Sequence, residues 1–350
     1  MKKTVTQKIE ERMTKTFEKD SKLNSASLRI YSDSKGIDLH RTYGEASSRT
    51  RPLYMASVGK LFTSTLIGIL RDQNKLNFTD NIQKYVDEEM MNQLHVVKGE
   101  DSSNTITIQH LLTHRSGLDD AFWPLLESLK KDSSKRYTVK ELITYSKTQK
   151  PAKYPVGKKV HYTDTNYYIL GHIIEKVTSM SFEQAMHEYV FDPLNMENTS
   201  MLHKTQAKDK NTNTVVPFNI NDVQGDRVSG YADIDYAGGS VVSTLDDLLL
   251  FMRSLTEGEL VNEDTLNTMK GDTYSFFPGI EYGYGIWTIQ PIPIIIPKKY
   301  YAWGVIGVLG SFMFYHPSTK TYLVGSFNDT RYERKCIRFV MKVLRDLHSA

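Results

Sequence analysis

Apolar residues at Val5, Ile9, Met13 and Phe17 recur every fourth position in an otherwise charged segment, which predicts an amphipathic helix near the start of the chain. The period then falls to two. Residues 26–31 and 37–43 alternate around a Ser34-Lys35-Gly36 turn, the pattern of a β-hairpin. From Leu61 to Leu70 almost every face is apolar, so a helix here belongs inside the protein, ending near Gln73 and Asn74. A more polar stretch reaches to about residue 225 and reads as largely helical. Thr138 with Glu141 and Ser181 with Gln184 are capping boxes, and Thr107 is a third helix start. From Tyr231 onwards Gly-rich turns separate short β-like runs. Residues 282–290, 305–315 and 321–328 are expected as strands of one sheet, with a helix over 244–255 interrupting the β-like region. The last segment, 331–348, puts Ile337, Val340, Met341, Leu344 and Leu347 on one helical face that should dock on that sheet.

These elements predict an α/β (α+β) protein with an antiparallel sheet flanked by N- and C-terminal helices and a mainly helical inserted region. The expected division is residues 1–72 and 231–350 for the α/β part and 73–230 for the helical part, with the active site at their junction. Composition narrows the class. A 350-residue chain that is 39% hydrophobic and 24% charged has ample material for a large core. With 44 basic against 41 acidic residues the net charge is +3, so no nucleic-acid footprint stands out. The longest apolar runs, 66–70 and 292–297 among them, fall well short of the roughly 20 residues a membrane-spanning helix needs. Met1-Lys2-Lys3 imitates the start of a signal peptide, but no apolar segment follows, so a mature cytoplasmic protein is expected; an exported protein without its leader would read the same. The single Cys336 excludes an intramolecular disulfide and reads as a small core residue.

The candidate chemistry centres on Ser57 and Lys60. Residues three apart on a helix lie on the same face, which sets the lysine beside the serine hydroxyl as its base. Burial and the positive end of the helix dipole both favour a neutral lysine, and the free N–H groups of the first turn can hold an anion. Two other pairs fit the same spacing, Ser32 with Lys35 and Ser128 with Lys131, but the first lies in a polar turn and the second in a charged segment. Only Ser57 opens an apolar helix.

Three stretches carry a family resemblance: residues 55–62, residues 105–118 (Thr-Ile-Thr-Ile-Gln-His-Leu-Leu-Thr-His-Arg-Ser-Gly-Leu) and residues 238–248 (Gly-Gly-Ser-Val-Val-Ser-Thr-Leu-Asp-Asp-Leu). In these the chain resembles the serine β-lactamase-related family, which includes class C β-lactamases, DD-peptidases and family VIII carboxylesterases. The resemblance implies the β-lactamase/transpeptidase-like fold and no cofactor. It also implies that Tyr162-Thr163-Asp164 stands where much of the family has Tyr-x-Asn, with Lys60 and Tyr162 sharing a proton as a coupled base. Asp164 cannot donate a hydrogen bond to a substrate carbonyl, but it can form an ion pair with Lys60. That contact would hold the lysine charged and leave Tyr162 as the working base.

The family's third motif, Lys or His followed two residues later by Gly, falls best on Val305-Ile306-Gly307. The cation is absent there. Gly307 would still allow close approach of substrate, and the Val308 N–H would join that of Ser57 as an oxyanion hole. Trp303 is a displaced candidate for the tryptophan of family VIII esterases. Tyr282, Tyr284 and Trp287 are candidates for the specificity pocket.

The resemblance therefore implies a serine hydrolase acting on a small ester, amide or lactam. Esterase-like activity is preferred, β-lactam or D-alanyl-D-alanine hydrolysis is the alternative, and a non-catalytic binding protein on the same fold is a third reading. His110 and His114 have the spacing of two zinc ligands, yet Leu111 replaces the glutamate such a site needs, so no metal is expected. Neither a nucleic-acid partner nor a membrane span is predicted, and the sequence does not fix an oligomeric state.

Overall fold

The structure, a computed structural model, describes residues 3–210 and 214–348. The first apolar stripe forms α1 (Val5–Lys19), opened by a capping box between Thr4 and Gln7 and burying Ile9 and Met13. The hairpin follows as β1 (Ser25–Ser32) and β2 (Ile37–Gly44), with Ile30 opposite Leu39 and Gly36 turning the chain at φ +58°. Next comes α2 (Gly59–Asp72), in which every residue from Gly59 to Leu70 is buried. Ser57 stands just ahead of it, on a 3₁₀ turn over Ala56–Val58.

The three proposed helix starts are all occupied. Thr107 caps α3 (Ile108–Leu112), while Thr138 and Ser181 cap the helices Val139–Gln149 and Phe182–Met186 through full capping boxes. The middle of the chain also holds Phe122–Lys131 and the long α4 (Thr165–Thr178). After it come α5 (Leu245–Glu257), capped by Thr244, and the helix Glu263–Gly271. Six strands complete the main sheet: β3 (Tyr274–Phe277), β4 (Ile280–Tyr282), β5 (Trp287–Ile289), β6 (Ala302–Gly307), β7 (Ser311–His316) and β8 (Thr321–Ser326). The chain ends in α6 (Glu333–Leu347).

The sheet is antiparallel throughout, in the order β3-β4-β5-β6-β7-β8-β1-β2. Its two halves lie far apart in sequence and join where β1 pairs β8, Ile30 opposite Leu323. Two single strands expected from the sequence are hairpins instead. The run 282–290 is broken where the Gly283 N–H donates to the Ile286 carbonyl at 2.8 Å and Gly285 adopts φ +66°. The run 305–315 is broken at Gly310, φ +65°. A tight turn of two or three partly apolar residues leaves an alternating pattern almost undisturbed, so periodicity alone does not reveal it.

Alternation along the strands feeds two cores. Phe312, Phe314 and Leu323 face α1 and α6, meeting Ile9, Met13, Phe339, Val340 and Val343. Val305, Met313 and Val324 face the other way, into the core that holds Leu61, Phe62, Leu248 and Phe251. The buried face of α6 centres on Cys336, Val340 and Val343, whereas Ile337 and Met341 are only half-buried. Thus the predicted stripe docks slightly rotated, and Ile337 is left at a cavity edge.

Phe62 on α2 stacks on Phe251 of α5 at 3.8 Å between ring centres, which fixes α2 laterally. Its start is fixed by Gly59, where a Cβ would stand 2.1 Å from the Gly239 carbonyl oxygen. Gly59→Ala should therefore shift the start of α2 and destabilise the protein by about 1–3 kcal/mol, the usual cost of overpacking. Chemical denaturation measures the loss, and an unchanged midpoint would mean that the two segments separate freely.

Candidate active site

Ser57 is half-exposed between buried neighbours, and Ala56 before it is held at φ +52°, a left-handed conformation that costs a non-glycine residue energy. One helical turn later the Lys60 side chain is completely buried. Its ammonium lies 3.3 Å from Ser57 Oγ and 2.7 Å from the Gly238 carbonyl oxygen, and it contacts the Asp164 carboxylate directly. Those three acceptors use all three donor protons. Burial alone would push the Lys60 pKa down, but the negative charges of Asp164 and, when ionised, Tyr162 more than reverse this. The lysine is held charged, well above its ordinary range. Helix position had pointed to a neutral lysine; the ion pair with a residue 104 positions away decides otherwise.

The Tyr162 ring lies 5.1 Å from the Lys60 ammonium, and the Tyr167 ring 5.0 Å from it. Burial raises the Tyr162 pKa, the Lys60 charge and a hydrogen bond with Ser57 pull it down, and the net direction is upward. The resting pair is therefore ammonium and phenol. The loop that presents Tyr162 and Asp164 is pinned from behind by His114. Its Nδ1 accepts from the Thr163 N–H at 3.2 Å and faces Asn166 Nδ2 at 3.1 Å, so Nε2 carries the proton towards Tyr282 Oη, 3.1 Å away. Burial and the Lys60 charge keep this ring neutral. His110 instead completes the capping box of α3 with Thr107, so the zinc-like spacing of the two histidines serves two different structural tasks. Among the described residues no group of three or more His, Cys, Asp or Glu is placed to hold a metal ion.

The opposite wall comes from the β6–β7 turn. A Cβ at Gly307 would stand 2.6 Å from the Met55 carbonyl oxygen and 3.1 Å from Ala56 Cβ, so strand and nucleophile turn touch through a glycine. Ser311 Oγ donates to the same Met55 carbonyl at 2.7 Å. Gly307 and Val308 line a cavity of about 580 Å³ together with Ser57, Tyr162 and Asp164. Val305 does not line it; two residues back along β6, its side chain is buried in the core. Trp303 is likewise buried, with its ring against Tyr315. Of the three aromatic candidates for the pocket only Trp287 reaches it, because Tyr282 supports His114 and Tyr284 donates to Asp272 at 2.8 Å.

Five charged residues of this cavity were not foreseen: Asp120, Asp235, Glu333, Arg334 and Arg338. Asp120 lies two residues after the signature ending at Leu118, and Asp235 three residues before the one starting at Gly238, so both flank recognisable stretches. The arginines lie on the exposed side of α6. Burial pushes the Asp120 pKa up to about 7, with the Asp164 carboxylate adding to the rise. Burial likewise pushes Asp235 up to about 6. Tyr54, Phe122, Trp123, Tyr231 and Phe276 give the remaining walls an aromatic lining.

A family model described as Beta-lactamase matches residues 7–342. The chain belongs to that family. The family is of the serine-hydrolase type, and the chain's antiparallel sheet with flanking helices is the family's fold. The putative penicillin-binding protein PbpX of Bacillus subtilis is 24% identical over 67% of this chain and 52% of its own length. The teichoic acid D-alanine hydrolase of Staphylococcus aureus is 28% identical over 54% of this chain and 44% of its own length. The chain thus spans about half the length of these two relatives. D-amino acid amidase from Ochrobactrum anthropi SV3 superposes with a TM-score of 0.77 at 20% identity, covering 99% of both chains, a likeness of fold.

Proposed function

We propose that this beta-lactamase-family protein is a serine hydrolase that works through an acyl-enzyme on small esters or amides, in a cleft between a sheet-bearing lobe (1–72 and 231–350) and a mainly helical lobe (73–230). The observation that carries the reading is the meeting of Ser57, Lys60 and Tyr162 at one cavity bordered by Gly307 and Val308. Ser57 Oγ attacks the acyl carbon while its proton passes to the Lys60–Tyr162 pair. The Ser57 and Val308 N–H groups hold the oxyanion, the pair returns the proton to the leaving group, and water then releases the acyl group by the reverse route. Intact mass after treatment with a fluorophosphonate tests this without a guess at substrate. One adduct per chain is expected; no adduct on folded protein would leave a binding protein that keeps the fold without the chemistry.

The resting charges predict the pH dependence. With Lys60 an ammonium and Tyr162 a phenol, the pair must lose one proton before it can take one from Ser57, so kcat/KM should rise with pH into the alkaline range. Asp164→Asn removes the charge that holds Lys60 protonated and leaves burial to dominate. The rising limb should move to lower pH by about one unit or more, the usual effect of one close opposite charge. A limb that stays in place would separate Lys60 from the proton transfer.

Hydrolysis of β-lactams or D-alanyl-D-alanine peptides is a second reading, supported by Arg334 and Arg338 at the cavity, where guanidinium groups are suited to a substrate carboxylate. They would stand in for the cation missing at Val305.

A further inference from the structure

Four carboxylates line the cavity: Asp120, Asp164 and Asp235, which all feel the buried ammonium of Lys60, and Glu333 on the exposed side of α6. Lys60 cannot serve them all, because its three protons already go to Asp164, Ser57 and the Gly238 carbonyl. Asp235 is only 5% exposed and is fixed by neutral donors, the Tyr54 hydroxyl at 2.7 Å and the Ser240 N–H, both on Oδ2. Asp120 is fixed in the same way through Oδ1, by the Asp164 N–H at 2.8 Å and the Thr163 hydroxyl at 3.2 Å. Among the described residues neither forms an ion pair. The arginines of the cavity are solvent-exposed on α6, and neither is paired with these acids.

Two carboxylates, Asp235 buried and Asp120 half-buried, held in place by neutral hydrogen bonds and facing a cavity without an ion-pair partner among the described residues, are costly unless something positive comes to them. The cavity's walls suit the same visitor, since Tyr54, Tyr231 and the half-exposed Trp123 line it and aromatic rings attract a cation. Resting on the acyl-enzyme reading above, we propose that Asp120 and Asp235 form a subsite for a primary ammonium on the acyl side of the substrate, making aminoacyl esters or amides with a free amine the preferred class. An acyl group that is neutral or anionic at that position would leave both carboxylates beside it without a partner, and this sets the direction of selectivity.

The test compares methyl esters and amides of alanine and phenylalanine, both enantiomers, with their N-acetyl counterparts at pH 7 on the full-length protein, with fluorophosphonate labelling of Ser57 run in parallel. The free amine should be favoured in kcat/KM by at least about tenfold, equivalent to one 1.4 kcal/mol interaction. Asp235→Asn and Asp120→Asn, which keep an oxygen for the neutral donors, should each collapse that ratio towards one. The wild-type ratio needs no variant, so a variant that fails to fold leaves the test intact. A ratio at or below one with Ser57 labelled would overturn the subsite and leave the acyl-enzyme reading standing; no labelling of folded wild-type protein would overturn both.

Discussion

Ser57→Ala is expected to abolish fluorophosphonate labelling and to lower turnover of any ester or amide substrate by at least about a thousandfold, the scale seen when a covalent nucleophile is removed. The argument is local. Ser57 Oγ lies 3.3 Å from the Lys60 ammonium, and it shares a hydrogen bond with Tyr162. Deleting it leaves Lys60 its contacts with Asp164 and the Gly238 carbonyl, so the buried charge stays paired. Lys60 loses one of its three acceptors and Tyr162 one partner, so stability should fall by about 0.5–1.5 kcal/mol, the usual worth of one hydrogen bond. Intact mass, steady-state kinetics and a thermal melt on the same preparation read all three. A variant that keeps wild-type turnover would mean that the nucleophile lies elsewhere; one that unfolds would mean the hydroxyl is structural.

The features legible in the sequence are those written over short stretches. The N-terminal stripe, the first hairpin, the capped helix starts at Thr107, Thr138, Ser181 and Thr244, and the placement of Ser57 ahead of a buried helix each need only a few neighbouring residues. What escaped depends on distant pairs. The protonation of Lys60 is set by Asp164, and the acidity of the cavity by Asp120 and Asp235, which come together only when the chain folds. Val305 illustrates the same limit from the other side. Its position in the third motif could be read, but its burial in the core follows from the twist and register of β6 against β7. The two missed hairpin turns fall where glycine supplies a positive φ within an otherwise apolar run.

The arrangement explains why so much of the cleft is rigid. Ala56 is held in a left-handed conformation, Gly59 and Gly307 allow backbone contacts that a Cβ would block, and Ser311 ties the Met55 carbonyl to β7. These contacts fix the Ser57 turn against both α2 and the β6–β7 hairpin of the sheet before any substrate arrives. Hydrogen-bond donors preset in this way need no rearrangement when the oxyanion forms, which is how such sites stabilise a transition state more than a ground state.

The largest stability effect should come from Lys60→Met. Methionine fills nearly the same volume, so the loss is electrostatic: Asp164 loses its ion-pair partner, and Asp120 and Asp235 lose a buried positive charge near them. Removing one partner of a buried ion pair typically costs about 3–5 kcal/mol. The cost must depend on pH, and its sign follows from the acids. Asp235 and Asp120 titrate at about 6 and about 7 in the folded protein against 3.8 when unperturbed, so their stabilising contribution is complete below about 4 and is lost as pH rises through those values. Lys60 lowers both pKa values, and without it they climb further. The Lys60→Met deficit should thus be largest near pH 8 and shrink towards pH 4, where Asp120 and Asp235 are protonated in both proteins. Adding Asp164→Asn should restore much of the stability at pH 8, because the stranded partner is then neutral, without restoring labelling of Ser57. If the double variant is no more stable than Lys60→Met, the pair is not what holds this site together; if it regains labelling, Lys60 takes no part in activating the serine.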